Sequence, residues 1–165
     1  PLLCYLKSPI LIKNQAEILI TDIPTHKIAT NRAIFLINTG KSGKTEPLVR
    51  QFIKHCENPD FNALVHDVLI PLNNQCIQSL LDGRYRMFYA NLHLLSDFQY
   101  HHFKSMIPED FRPLWKEGLD HHKFKLKLCG SGGGGFLLGF SPNYQAAHDA
   151  LAESKVDFIT VYKKP

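Results

Sequence analysis

Two stretches of this chain carry residue types that could hold a phosphate. The first is Leu128-Cys129-Gly130-Ser131-Gly132-Gly133-Gly134-Gly135-Phe136, with five glycines in six residues. Glycine costs backbone entropy on folding, so such a run needs a reason. It permits positive φ, lets the backbone approach a ligand closely, and can line up successive N–H groups as an anion nest. A flexible linker would be flanked by polar residues. Here both flanks read as apolar strands, which favours a tight functional turn. Glycine content alone does not name the ligand.

The second stretch is Ile34-Phe35-Leu36-Ile37-Asn38-Thr39-Gly40-Lys41-Ser42-Gly43-Lys44-Thr45, an apolar strand running into Gly-Lys-Thr. It comes close to the P-loop pattern GxxxxGK[ST], with Asn38 at the place of the first glycine. In a P-loop the backbone cradles phosphates, the Lys reaches the β/γ oxygens and the Thr binds magnesium. Pro47, two residues past Thr45, requires a late helix start. Beyond Thr45 helices follow one another, without the strand–helix alternation of a parallel sheet. Ile18 to Asp22, the apolar run that ends in Asp, lies upstream, whereas a Walker B strand comes after the loop. A P-loop nucleotidase is therefore the weaker reading.

Other chemistry-bearing residues are scattered. Among the nine histidines, His101-His102 and His121-His122 are adjacent pairs. Neighbours on a helix point about 100° apart and do not chelate readily. No HExxH element is present. These histidines read as surface or core, and no metal site is expected. Cys4, Cys56, Cys76 and Cys129 are widely spaced without a CxxC pair, which argues against structural zinc and a disulfide framework. Four reduced thiols in a cytoplasmic protein are expected.

The elements that must position the two stretches can be read from periodicity. Short apolar runs at Leu2 to Ile12, Ile18 to Ile23 and Ala33 to Ile37, broken by Pro, Asn and Gly, predict strands. From Phe61 the period changes: Leu64, Val65, Val68, Leu69, Leu72, Cys76, Ile77 and Leu80 form one helical stripe. Asp60 is its expected N-cap, Pro71 a kink, and Asp82-Gly83 its end. Met87 to about His102 and Pro113 to Leu119 predict two more helices. Phe124, Leu126 and Leu128 alternate with Lys123, Lys125 and Lys127, a strand with one wet face. Phe136 to Phe140 is a strand leaving the glycine loop. Ser141-Pro142 is the expected start of a helix over 143–153, and Val156 to Tyr162 a closing strand. Strands, helices, then strand-loop-strand-helix-strand predict an α+β domain with a mainly antiparallel sheet.

Composition sets outer limits. A chain of 165 residues with 44% apolar and 21% charged residues is one ordinary folded domain, 1–165. The net charge of +4 and pI near 8.9 come without a lysine run, which argues against nucleic acid and suits phosphate handling. No apolar stretch approaches the ~18 residues that span a membrane.

Both stretches, and the helices between them, resemble one family. Lys127-Leu128-Cys129-Gly130-Ser131-Gly132-Gly133-Gly134-Gly135 is similar to the third motif of the GHMP kinases, usually K-x-T/S-G-A/S-G-G-G-G. Asn38-Thr39-Gly40-x-Ser42-x-x-Thr45-x-x-x-Val49 resembles their strand-to-helix element, often D-T-G-x-x-x-S/T-T-x-x-x-V. Mevalonate kinases carry a long helical region between these two, including a segment like Phe88-x-x-x-Asn91-x-x-Leu94-Leu95. The departures are Asn38 for Asp and Cys129 for Thr or Ser.

The resemblance implies a ferredoxin-like C-terminal domain of an ATP-dependent kinase, most like a mevalonate kinase of isoprenoid precursor synthesis. It implies that Gly130, Ser131, Gly132, Gly133, Gly134 and Gly135 face the phosphate side, and that Ser42, Lys44 and Thr45 line the substrate side, with Lys44 reading equally well as a solvated loop lysine. ATP and Mg²⁺ would be held mainly by an N-terminal domain, whose P-x-x-x-G-L/S-G-S-S-A loop has no counterpart in this sequence. Mevalonate kinases carry a catalytic Asp in an S-G-x-D segment. Pro1-Leu2-Leu3-Cys4-Tyr5 resembles the residues that come soon after that segment, so the Asp would lie upstream of Pro1. No catalytic group is then expected in this chain, and the chain alone should be inactive. Its partners would be a small alcohol and its own N-terminal domain, through an apolar docking face that could also drive homo-oligomer formation. Asn38 and Cys129 keep open a non-catalytic binding or assembly domain of the same fold.

Overall fold

A computed structural model describes residues 9–14, 16–24 and 31–163. A small hairpin comes first, with β1 (Ile10–Ile12) antiparallel to β2 (Ile18–Ile20). The Asn14 side chain closes its turn by accepting from the N–H groups of Ala16 and Glu17. The expected strand from Leu2 lies outside the described residues up to Ser8.

The main sheet contains β3 (Ala33–Asn38), β4 (Lys125–Leu128), β5 (Phe136–Ser141) and β6 (Phe158–Lys163), in the order β4-β5-β3-β6. All three pairings are antiparallel. Its first and third strands are central, the arrangement of a ferredoxin-like split βαβ unit. This is the predicted α+β architecture. A P-loop fold would need a parallel sheet, so that reading fails. Phe35 and Ile37 of β3 pack into one core cluster and Ile34 into another. Successive strand residues point to opposite faces, so the sheet is covered on both sides.

Helix α1 (Thr45–His55) takes the place of the helix expected from the strand-to-helix resemblance. Pro47 sits in its first turn, where a missing N–H leaves no bond unmade. The next helical stretch runs as α2 (Pro59–Leu64), a π-helical turn (Val65–Leu69) and α3 (Ile70–Leu81). Its N-cap is Asn58, whose side chain accepts from the Phe61 N–H at 3.0 Å, rather than Asp60. The irregularity expected at Pro71 appears as the π turn just before it. Ile70 N–H bonds the Val65 carbonyl, and Pro71 has no N–H to continue the α ladder. Helix α4 (Tyr85–His102) buries Phe88, Leu92, Leu95 and Phe98. Helix α5 (Arg112–His121) buries Trp115, whose indole N–H donates to the Ser96 carbonyl at 3.2 Å.

Two local expectations need correction. Lys125 is not on a wet face but buried, and its Nζ donates to the Gly118 and Leu119 carbonyls. Those groups end α5, where a cation is favoured. Helix α6 (Tyr144–Glu153) is capped by Asn143, which accepts from the Ala146 N–H. Ser141 stays in β5, fully buried, its hydroxyl accepting from the Asn143 N–H at 3.0 Å.

Candidate functional site

The two stretches singled out by composition meet at one end of the sheet. β3 delivers 39–44 and β4–β5 delivers the glycine loop, side by side. Thr39 locks them together: its N–H donates to the Gly135 carbonyl at 2.9 Å and its hydroxyl to the same oxygen at 2.8 Å. Gly135 N–H donates back to the Lys41 carbonyl at 2.7 Å, and Gly133 N–H to the Met106 carbonyl at 2.6 Å.

Much of the glycine content serves this contact. A Cβ on Gly134 would meet the Lys41 carbonyl oxygen at 2.5 Å and the Gly43 nitrogen at 2.7 Å. One on Gly132 would meet the Met106 carbonyl oxygen at 2.5 Å, and one on Gly133 would strike the Leu48 side chain of α1. Gly43 is pressed against the loop from the other side, 2.8 Å from the Gly132 oxygen by the same construction. Gly130, by contrast, has φ +62° and open space around it. The N–H groups of Gly130 and Ser131 make no hydrogen bond among the described residues. The loop thus spends three N–H groups, those of Gly132, Gly133 and Gly135, on its own chain. Gly134 N–H likewise has no partner among the described residues, and Gly130 and Ser131 are the unbonded pair at the loop's start.

Those two residues line a cleft of about 350 Å³ with Thr45, Val49, Phe52, Leu69, Gln99, Phe103, Met106 and Leu128. Thr45 is the first residue of α1, and the preceding Lys44 makes no side-chain cap. The opening N–H groups of α1 therefore have no partner within the helix and carry its positive dipole end. One side of the cleft is polar, built from Gly130, Ser131 and Thr45; the rest is apolar apart from the Gln99 amide. Among the predicted site residues the structure brings these three to a common surface. Gly132, Gly133, Gly134 and Gly135 support the loop from behind. Ser42 and Lys44 are exposed and outside the cleft lining.

Gln99 went unnoticed in the sequence. Its side-chain oxygen accepts from the Leu128 N–H at 3.0 Å, satisfying the edge of β4 at the cleft wall. A polar residue continuing the stripe Phe88, Leu92, Leu95 was the available signal. Asn38 also gains a reason. Its Oδ1 accepts from Gly40 N–H at 3.0 Å while its Nδ2 donates to Asp157 at 3.3 Å. An Asp there would face a second carboxylate. Lys41 extends to Asp110 in an exposed ion pair at 2.6 Å that holds the Asp110 carboxyl below its ordinary range. No group of three or more metal-ligating side chains occurs among the described residues. Among them, too, no helix is long and apolar enough to cross a membrane.

No family model matches the chain, and no curated protein is similar to it in sequence. Solved structures are similar in fold. A Streptococcus pneumoniae phosphomevalonate kinase, solved with phosphomevalonate and AMPPNP, superposes with a TM-score of 0.64 at 14% identity over 90% of this chain. An L. major mevalonate kinase with R-mevalonate gives 0.59 at 17% identity over 88%. The Lin0012 protein of Listeria innocua gives 0.64 at 17% over 86%. The chain spans 44%, 43% and 41% of those three chains. The fold of this chain, an α+β architecture with an antiparallel sheet, is thus similar to that of part of the phosphomevalonate and mevalonate kinases, over less than half of their length.

Proposed function

We propose that this chain is the C-terminal half of an ATP-dependent small-molecule kinase acting on mevalonate or its phosphate. One observation carries the reading. Gly130 and Ser131, whose N–H groups make no hydrogen bond among the described residues, line one cleft with Thr45 at the uncapped start of α1, and its remaining wall is apolar apart from Gln99. Such a mouth suits an anionic group, and the apolar wall suits a short carbon skeleton.

In the reaction an acceptor oxygen attacks the γ-phosphorus of ATP, the bond to the β-bridging oxygen breaks, and ADP leaves. Catalysis of that step is mainly positioning and charge stabilisation. Gly130 and Ser131 would donate backbone N–H groups to phosphate oxygens, and Thr45 would orient the acceptor with its hydroxyl. Thr39, Lys41 and Met106 fix the loop so that these donors need no reorganisation. Magnesium, where bound, would neutralise phosphate charge. Its ligands, most of the ATP site and the carboxylate that takes the acceptor proton are assigned to a second domain. The apolar side chains left exposed on the hairpin, Ile12, Ile18, Leu19 and Ile20, offer that domain a docking face.

The test is turnover. The full-length protein should transfer phosphate from ATP to mevalonate or phosphomevalonate, whereas the 165-residue chain should not. In the full-length enzyme Thr45→Val should raise KM for the acceptor with little change in Tm. Steady turnover by the chain alone would place the catalytic groups here and overturn the division of labour. An inactive full-length protein that still binds ATP would favour a binding domain of the same fold.

A further inference from the structure

At the opposite end of the β4–β5 pair lies a second cleft, of about 270 Å³, lined by Tyr89, Ala90, His93, His122, Lys125 and Pro142. The six residues of β5 separate it from the glycine loop, about 20 Å at a strand rise of ~3.3 Å. Three nitrogen-bearing side chains from three elements converge there: His93 from α4, His122 from the left-handed end of α5 (φ 55°) and Lys125 from β4. The His93 and His122 rings lie 5.2 Å apart.

Among the described residues no carboxylate lines this cleft, and the neighbouring ones are engaged elsewhere. Asp97 pairs with His101 at 3.4 Å, Asp120 with Lys116, and Glu117 with Lys123 at 3.5 Å. The Tyr89 hydroxyl donates to the Ser141 carbonyl at 2.6 Å. The Lys125 ammonium gives two of its N–H groups to the end of α5 and has a third. The Nδ1 of His93 is buried without a partner. A proton there would be an unsatisfied buried donor, so the neutral ring carries its proton on Nε2. Burial, then Lys125 and His122, hold His93 below the usual imidazole range, with Asp97 opposing. Burial likewise lowers Lys125 to about 8, with Asp120 opposing. Lys125 and the two imidazoles thus bring N–H groups to a cleft that no carboxylate lines among the described residues.

We propose that this cleft is a second anion site, taking the phosphate of a small phosphate monoester between Lys125, His93 and His122. Donors from three directions match a tetrahedral oxyanion better than a planar carboxylate. Ala90 and Pro142 supply apolar wall for a short carbon chain. The inference does not rest on the phosphotransferase reading, and its readout needs no turnover.

The imidazole NMR signals of His93 and His122 test it, in the full 165-residue chain, titrated with inorganic phosphate and with glycerol phosphate at constant ionic strength. Both ring signals should shift saturably, with glycerol phosphate binding at least as tightly. Affinity should fall as pH rises through about 8, where Lys125 loses its proton. His122→Asn keeps a residue that tolerates the left-handed end of α5 and should weaken binding about 10-fold, the loss of one donor to a charged acceptor. Lys125→Met should abolish binding; if that variant does not fold, His122→Asn decides. Equal shifts with acetate or chloride, or unchanged affinity in His122→Asn, would overturn the proposal.

Discussion

The two ends of the β4–β5 pair treat hydrogen-bond donors in opposite ways. At the glycine end, Gly132, Gly133 and Gly135 give their N–H groups to Cys129, Met106 and Lys41. The N–H groups without a partner among the described residues are those of Gly130 and Ser131, which line a cleft, and of Gly134. At the other end, His93, His122 and Lys125 crowd a cleft without a carboxylate lining it. The glycine run is conspicuous by composition, yet half of it answers a packing problem between two loops. The basic cluster has no compositional mark, yet it gathers three nitrogen-bearing side chains at a cleft that no carboxylate lines among the described residues. Glycine reports close approach, and the approaching partner can be the chain itself.

Gly134→Val breaks the first end and should have the largest effect. Its Cβ would meet backbone atoms of Lys41 and Gly43, which cannot swing aside as a side chain can. A loss of about 2–4 kcal/mol in unfolding free energy is expected, in the range of forced overpacking plus backbone strain. Gly133→Val should cost less, because Leu48 can rotate away. Equal losses in denaturant melts would mean that the loop moves as a whole and that the contact with 41–43 is loose.

At the second end, Lys125 sets a dependence on pH. Its folded-state pKa of about 8 lies below the ordinary 10.5. Between those values the unfolded chain holds a proton that the folded chain has released, so stability rises with pH across this window. The gain is about 3 kcal/mol at most, at ~1.4 kcal/mol per unit. Lys125→Met removes the titration, so the difference in stability between wild type and variant should shift by that amount from pH 8 to 10.5. Saturating phosphate should move the rise to higher pH by holding the ammonium. A parallel pair of stability curves would show that Lys125 titrates as if in water.

Legibility in the sequence divides along the same line. Periodicity and punctuation were enough for the order of elements, the α3 and α4 stripes and the strand flanks of the loop. Asn38 to Thr45 and the glycine loop stood out because both carry unusual residues, but their pairing through Thr39, Gly135 and Lys41 was not legible. Helix α1 was legible only through the strand-to-helix resemblance, and Pro47, read as requiring a late start, is in fact tolerated in its first turn. Lys125 escaped because alternation reports which face of a strand a residue occupies, while only tertiary structure puts the end of α5 on that face. His93, His122 and Lys125 come together through three elements, and no local pattern records such a meeting.

Asn38→Asp sharpens the glycine end with a smaller effect. It keeps an acceptor for Gly40 N–H but replaces the donor that faces Asp157. Two carboxylates would then lie together at an exposed site. The cost should stay under about 1 kcal/mol near neutral pH and shrink as pH falls through the ordinary carboxylate range near ~4. No change with pH would show that the Asn38–Asp157 contact does not persist in solution.

The smallest change in stability carries the sharpest functional contrast. Gly130 and Gly135 share a left-handed backbone, φ +62° and +68°, and both have open space where a Cβ would go. Alanine at either should cost about 1 kcal/mol, the strain of positive φ. The two differ in their N–H groups. That of Gly135 is bonded to the Lys41 carbonyl, while that of Gly130, a residue lining the cleft, makes no hydrogen bond among the described residues. If the start of the loop holds phosphate, shifting its backbone misaims a charge-stabilising donor. Gly130→Ala should then lower kcat/KM of the full-length kinase by more than about 10-fold, a fraction of the loss seen when such a donor is removed outright. Gly135→Ala, equally strained, should lower it little. Matched losses in the two variants would mean that activity only tracks loop stability, and the unbonded donors of Gly130 and Ser131 would lose their assigned role.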